Sequence, residues 1–235
     1  MQKNPHGYRS HHDKSHRGVE RSPKMKYMGM PVALWAVFTR SFRKNLETCF
    51  GLNATEAKEV TRKAKVRYKK IIRELPEFEK EDRFKMNIVS CAMIGAFVLS
   101  MPKRPDVKTL TNYYRDSSMT PLVSWFFRQS GKLKFSEKDR QQMQKTARLK
   151  AADRNPFSWN MDYFEYPDGS GYEARFYKCG ICALMKKLGL YDLTPALCHL
   201  DYDMSEATGA SVFVREYTLA SGGSYCDCGY KKKFK

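Results

Sequence analysis

Five of the seven cysteines fall in the last third of the chain, in "KCGIC", "LCHLDYD" and "SYCDCGY": Cys179, Cys182, Cys198, Cys226 and Cys228. A thiol does chemistry once ionised, and helix N-termini and strand ends are where backbone N–H groups gather to favour that ionisation. Three readings of these cysteines stand side by side. "CGIC", "CH" and "CDC" offer Cys179, Cys182, Cys198, Cys226 and Cys228 as ligands of a divalent metal, although a second Cys-x-x-Cys pair, the usual mark of structural zinc, is missing. Plain packing is the second, since cysteine is among the most buried residue types. The third is a polar pocket in which Cys198, Asp201, Cys226 and Asp227 converge with Thr218.

Spacing adds detail to the third reading. Cys198 and Asp201 are three residues apart and share one helical face, as do Cys198 and Tyr202, whereas His199 points elsewhere. A carboxylate beside a thiol could orient water or hold a substrate amino group. The Ser221-Gly222-Gly223 backbone could approach a small ligand closely because glycine presents no side chain. The same glycines equally suit an ordinary hairpin turn.

"RFYKC", "LTPALCHLDYDM" and "TLASGGSYCDCGY" together resemble the L-2-amino-thiazoline-4-carboxylic acid hydrolase family, well over residues 155–230 and loosely in the N-terminal half. The matching positions are Cys179; Pro195, Cys198 and Asp201; and Thr218, Ala220, Gly222, Cys226 and Asp227. One departure stands out: the family continues Cys-Asp-Phe-Arg, whereas this chain has Cys226-Asp227-Cys228-Gly229, so a base for a substrate carboxylate must come from another position. The resemblance implies hydrolysis of a small cyclic C–N substrate by attack of water or thiolate. Cys198 or Cys226 would be nucleophile or polar wall, Asp201 or Asp227 acid/base, and Cys179, Thr218, Gly222 and Gly223 would contact substrate. Two alternatives are a non-catalytic small-ligand sensor on the same scaffold and a zinc-stabilised nucleic-acid-binding module.

These residues need elements to position them. From Pro31 to about Arg154 the apolar spacing is helical. One helix runs from Pro31 to Gly51. A second opens at Asn53 or Thr55 and presents Ala57, Val60, Ala64, Tyr68, Ile71 and Leu75 on one face. A third spans about Glu81 to Ser100, and shorter ones follow from Asp106, Pro121 and Ser136. At Asn155 the pattern turns aromatic and alternating, with "PDGSG" as a hairpin loop. A helix ending near Gly189, another from Thr194 to Gly209, and two strands around Ser221-Gly222-Gly223 complete the chain. The prediction is an α+β fold: a helical N-terminal half (28–154), then a cysteine-rich module (155–235) of four antiparallel strands with two helices on one face, 28–235 forming one compact unit.

Composition narrows function without settling it. The chain has 235 residues and a net charge of +18, half of it in the two ends: residues 1–27 and the closing "KKKFK". Residues 1–27 read as a basic disordered leader in which His6, His11, His12 and His16 are solvated, and Met25 or Met28 could be the true start. The remaining charge suits an anionic small molecule better than nucleic acid, because few aromatics interleave with the basic face of the second helix. An odd number of cysteines with no secretory signal predicts reduced thiols in the cytoplasm. The longest apolar run, Met86 to Met101, is too short to span a membrane. No motif calls for an organic cofactor, and the sequence assigns no oligomeric state.

Overall fold

The computed structural model describes residues 29–79 and 82–233; the basic leader, its histidines, Met25, Met28 and Glu81 lie outside them. Helix α1 (Val32–Phe50) stops at Gly51, whose φ of 65° is left-handed and whose N–H returns to the Glu47 carbonyl. Helix α2 (Ala54–Arg73) begins with a reciprocal cap: the Asn53 side chain accepts the Thr55 and Glu56 N–H groups, and the Glu56 carboxylate accepts the Asn53 N–H. The predicted apolar stripe of α2, from Ala57 to Leu75, is buried. Helix α3 (Lys85–Val98) starts later than its periodicity suggested, because the Asp82 carboxylate captures the Phe84 N–H and holds the preceding residues in a turn. Its segment Ile88–Val98 is buried on nearly every side except Ser90, so the helix is central rather than amphipathic. Helices α4 (Val107–Ser118), α5 (Pro121–Gly131) and α6 (Glu137–Ala151) are capped by Asp106, Thr120 and Ser136.

The second half supplies β1 (Asn160–Glu165), β2 (Gly171–Lys178), α7 (Gly180–Lys187), α8 (Thr194–Cys198), α9 (Leu200–Thr208), β3 (Ser211–Val214) and β4 (Cys226–Lys232). The four strands form one antiparallel sheet in the order β1-β2-β4-β3. With the helices concentrated in the N-terminal half, the fold is α+β. Alternation along β4 puts Cys226, Cys228 and Tyr230 on the inner face, opposite Phe176, Ala174 and Tyr172 of β2. There Met161, Ala174, Phe213, Cys226 and Cys228 pack together, with Met143 and Ala147 of α6 against them. The larger core joins α1–α4 to α7, α8 and Trp159. No helix among the described residues is long and apolar enough to cross a membrane.

Two local departures from the sequence expectation bear on the site. The single helix expected from Thr194 to Gly209 is divided at His199. The Tyr202 N–H turns to the His199 carbonyl, and the Arg215 guanidinium takes the Cys198 carbonyl that a continuous helix would have given to Tyr202. The expected long third strand ends at Val214, because the Asp227 carboxylate accepts the N–H groups of both Glu216 and Tyr217.

Candidate functional site

Cys179 directly follows β2 and occupies the N-cap position of α7. The Cys182 thiol and the Ile181 and Cys182 N–H groups lie near its sulfur, although its side chain makes no capping hydrogen bond. Together they outweigh burial and pull its pKa below the ordinary thiol value. The other six cysteines shift the opposite way. Cys182 rises because it donates to Cys179 and is itself desolvated. Burial, with the charge of Asp201, pushes Cys198 up to about 12. Burial pushes Cys226 up to about 11, partly offset by the Leu219 N–H, whose nitrogen lies 3.2 Å from the sulfur. Cys228 is buried and goes well above its usual value.

Beside these thiols lies an ion pair. Arg215 donates from one terminal nitrogen to the Asp201 carboxylate at 2.7 Å and from the other to the Cys198 carbonyl at 2.7 Å. The Arg215 side chain is 6% exposed and that of Asp201 33%. Its guanidinium also lies 5.1 Å from the Tyr202 ring centre and 5.0 Å from that of Phe213. Burial opposes the Arg215 charge, but Asp201 outweighs it and holds the guanidinium protonated. Burial raises the Asp201 carboxyl while Arg215 pulls it back. The 2.7 Å contact and the solvent still reaching Asp201 favour the carboxylate near neutrality.

Arg215 opens onto a cleft of about 170 Å³ lined by Pro195, Cys198, His199, Tyr202, Thr218 and Ser221, with Glu216 at its edge. The Thr218 hydroxyl contacts that of Ser221 at 2.9 Å and accepts its N–H at 3.0 Å, which fixes this rim. Gly222 has the left-handed φ of 86° that the turn requires. A side chain on Gly223 would begin 2.9 Å from the Thr218 carbonyl oxygen. The two glycines shape the turn, and Ser221 supplies its cleft-facing surface.

Of the residues singled out from sequence, Cys179, Cys198, Asp201 and Cys226 lie close enough for their charges to perturb one another. Thr218 shares the cleft with Cys198. Asp227 alternates to the opposite face of β4 from Cys226 and Cys228, where its carboxylate holds the Glu216–Tyr217 backbone. Among the described residues no three His, Cys, Asp or Glu side chains gather closely enough to hold a metal ion. Sequence reading overlooked Arg215. Its one signal is an arginine closing the apolar alternation of "SVFVRE".

The geometry also explains the departure at Gly229. That position points away from the thiols, and a Cβ there would fall 2.3 Å from the Tyr166 hydroxyl and 2.7 Å from Val214 Cγ2. An arginine at 229 would therefore sit on the other side of the sheet from the cleft, where Tyr166 occupies the space. The cation that meets Asp201 is Arg215.

The family of L-2-amino-thiazoline-4-carboxylic acid hydrolases matches residues 68–230, reaching from α2 through β4, and the chain belongs to that family. No curated protein and no solved structure matches it.

Proposed function

We propose that the chain is a thiol-dependent hydrolase that opens a small cyclic amidine bearing a carboxylate, with Cys179 as nucleophile. The observation carrying this reading is that Cys179, alone of the seven cysteines, is shifted toward thiolate, at the start of α7 and within reach of the Asp201 charge. Arg215 has five N–H donors and gives one each to Asp201 and the Cys198 carbonyl, which leaves others for a substrate carboxylate in the cleft. Thr218 and Ser221 offer hydroxyls at the rim.

For a 2-aminothiazoline-4-carboxylate the steps balance with water alone. The Cys179 thiolate adds to the ring carbon between nitrogen and sulfur, and the bond from that carbon to the ring sulfur breaks. The departing sulfur takes a proton from the nearby Cys182 or from solvent. Water then adds to the same carbon, returns a proton to the site and expels Cys179, so the product is an N-carbamoyl amino acid with a free thiol. Cys198 and Cys226, pushed up to about 12 and about 11, stay protonated at neutral pH and serve as walls.

The test is ring opening of the thiazoline carboxylate followed by chromatography. Cys179→Ser is expected to lower kcat by about 10³-fold, while Cys198→Ser leaves kcat within about tenfold. A Cys179→Ser variant as active as wild type overturns the nucleophile assignment. Saturable binding by wild type without any turnover overturns the hydrolase reading in favour of a sensor.

A further inference from the structure

The "CGIC" segment holds a second thiol that the proposed hydrolysis employs at most as a proton donor. Cys179 occupies the cap of α7 and Cys182 its third residue, so the pair bridges the first turn of a helix that follows a strand directly. Side chains three apart on a helix are neighbours, and the backbone spacing of one such turn is within the range that a disulfide spans. The Cys182 thiol lies near the Cys179 sulfur. Both residues are half-buried rather than sealed in the core, and both are free thiols here. Gly180, between them, packs so closely that a Cβ would lie 2.1 Å from the Phe157 carbonyl oxygen. That contact anchors the turn which carries the two sulfurs. Cys91, in contrast, is wholly buried in α3, and Cys49 lies on α1 with Asp116 and Arg115 as its charged neighbours.

We infer that Cys179 and Cys182 form a redox-active dithiol that reduces low-molecular-weight disulfides and closes into an internal disulfide. The Cys179 thiolate attacks one sulfur of the disulfide, whose S–S bond breaks and releases the first thiolate. That thiolate takes the proton given up by Cys182. The Cys182 sulfur then attacks Cys179 in the mixed disulfide, the Cys179–Cys182 bond forms, and the second thiolate departs. Two electrons pass from the protein to the small disulfide, which leaves as two thiols. The low Cys179 pKa and high Cys182 pKa fit attacker and resolver respectively. Because the inference shares Cys179 with the proposed hydrolysis, it rests in part on that reading: the oxidised chain would lack the nucleophile and open no ring.

The full chain is incubated in glutathione redox buffers, alkylated and digested with trypsin. Lys178 and Lys186 bound a single peptide that contains both cysteines, "CGICALMK". In oxidising buffer this peptide is expected to escape alkylation and lose two hydrogens. Cys182→Ser is expected to stop at a stable mixed disulfide on Cys179, and Cys179→Ser to form none at position 182. Wild type that accumulates the mixed disulfide as Cys182→Ser does, or that joins other cysteines instead, overturns the dithiol. Ring opening assayed on both redox forms separates the two readings. Loss of turnover only in the oxidised form supports both. Internal disulfide formation with no turnover in either form supports the dithiol and sinks the hydrolase. Full turnover in the oxidised form overturns the shared role of Cys179.

Discussion

Replacing Arg215 by Met isolates the buried ion pair. Removing one partner of a fully buried pair typically costs 3–5 kcal/mol, because the other charge is left without compensation. Asp201 is not fully buried: its side chain is 33% exposed, so water screens part of the orphaned charge and the cost falls to about 2 kcal/mol. A second loss belongs to the Cys198 carbonyl, which accepts from Arg215 at 2.7 Å in place of a helical amide. The sign with pH is specific. Arg215 now holds the Asp201 carboxyl down against burial, and without it the carboxyl rises further above its unfolded value. A raised folded pKa gives stability that is present below the unfolded pKa and is lost as pH rises through the folded one. The deficit of Arg215→Met should therefore be small near pH 4 and full by pH 7. Urea unfolding followed by circular dichroism at both pH values reads it. The double variant with Asp201→Asn should recover part of the loss, a coupling that only direct contact explains. A deficit under about 0.5 kcal/mol, or one equal at both pH values, refutes the argument.

Two further outcomes follow from packing. Burial lowers Lys134 to about 8, against the attraction of the Tyr230 ring centred 3.5 Å from its ammonium. The unfolded chain binds this proton more tightly, so wild-type stability should gain from about pH 8 to pH 9.5 relative to Lys134→Met; parallel denaturation curves would contradict that. Gly229→Arg, which installs the residue usual in the family, should cost about 2–3 kcal/mol by displacing Tyr166, and Tyr166→Ala should recover part of it in thermal melts. A neutral Gly229→Arg would mean that the outer face of the sheet is looser than its contacts indicate.

Sequence pattern carried the elements whose signals are local. The cap of α2 is legible because Asn53 and Glu56 stand three apart before an apolar stripe. β1 and β2 are legible because aromatics recur along them on either side of a Gly-containing loop. The late start of α3 was not, since it depends on a single carboxylate, Asp82, which binds the Phe84 amide and also meets Lys150 at 2.6 Å from another helix. Cys179 was legible as a strand-to-helix junction, but its low pKa depends on how the Cys182 thiol and two amides are aimed. Arg215 was illegible for the same reason. Its partners, Asp201 and the Cys198 carbonyl, lie more than a dozen residues upstream, and no local spacing joins them.

The alternation of β4 assigns the two halves of its Cys-Asp pair to different tasks. Cys226 faces the thiols and Asp227 faces away, so an acid on the residue next to a thiol stands across the sheet from it. Yet Asp227 is coupled to the cleft through the backbone. By capturing the amides of Glu216 and Tyr217 it ends β3 at Val214, and the residue at that break is Arg215. Arg215 in turn takes the Cys198 carbonyl and thereby divides α8 from α9, with Asp201 on the first turn of the second piece. One chain of contacts thus runs from Asp227 on the outer face, through the end of β3, to the Asp201–Arg215 ion pair beside Cys198. A residue that touches no thiol can still place the cation on which the cleft depends.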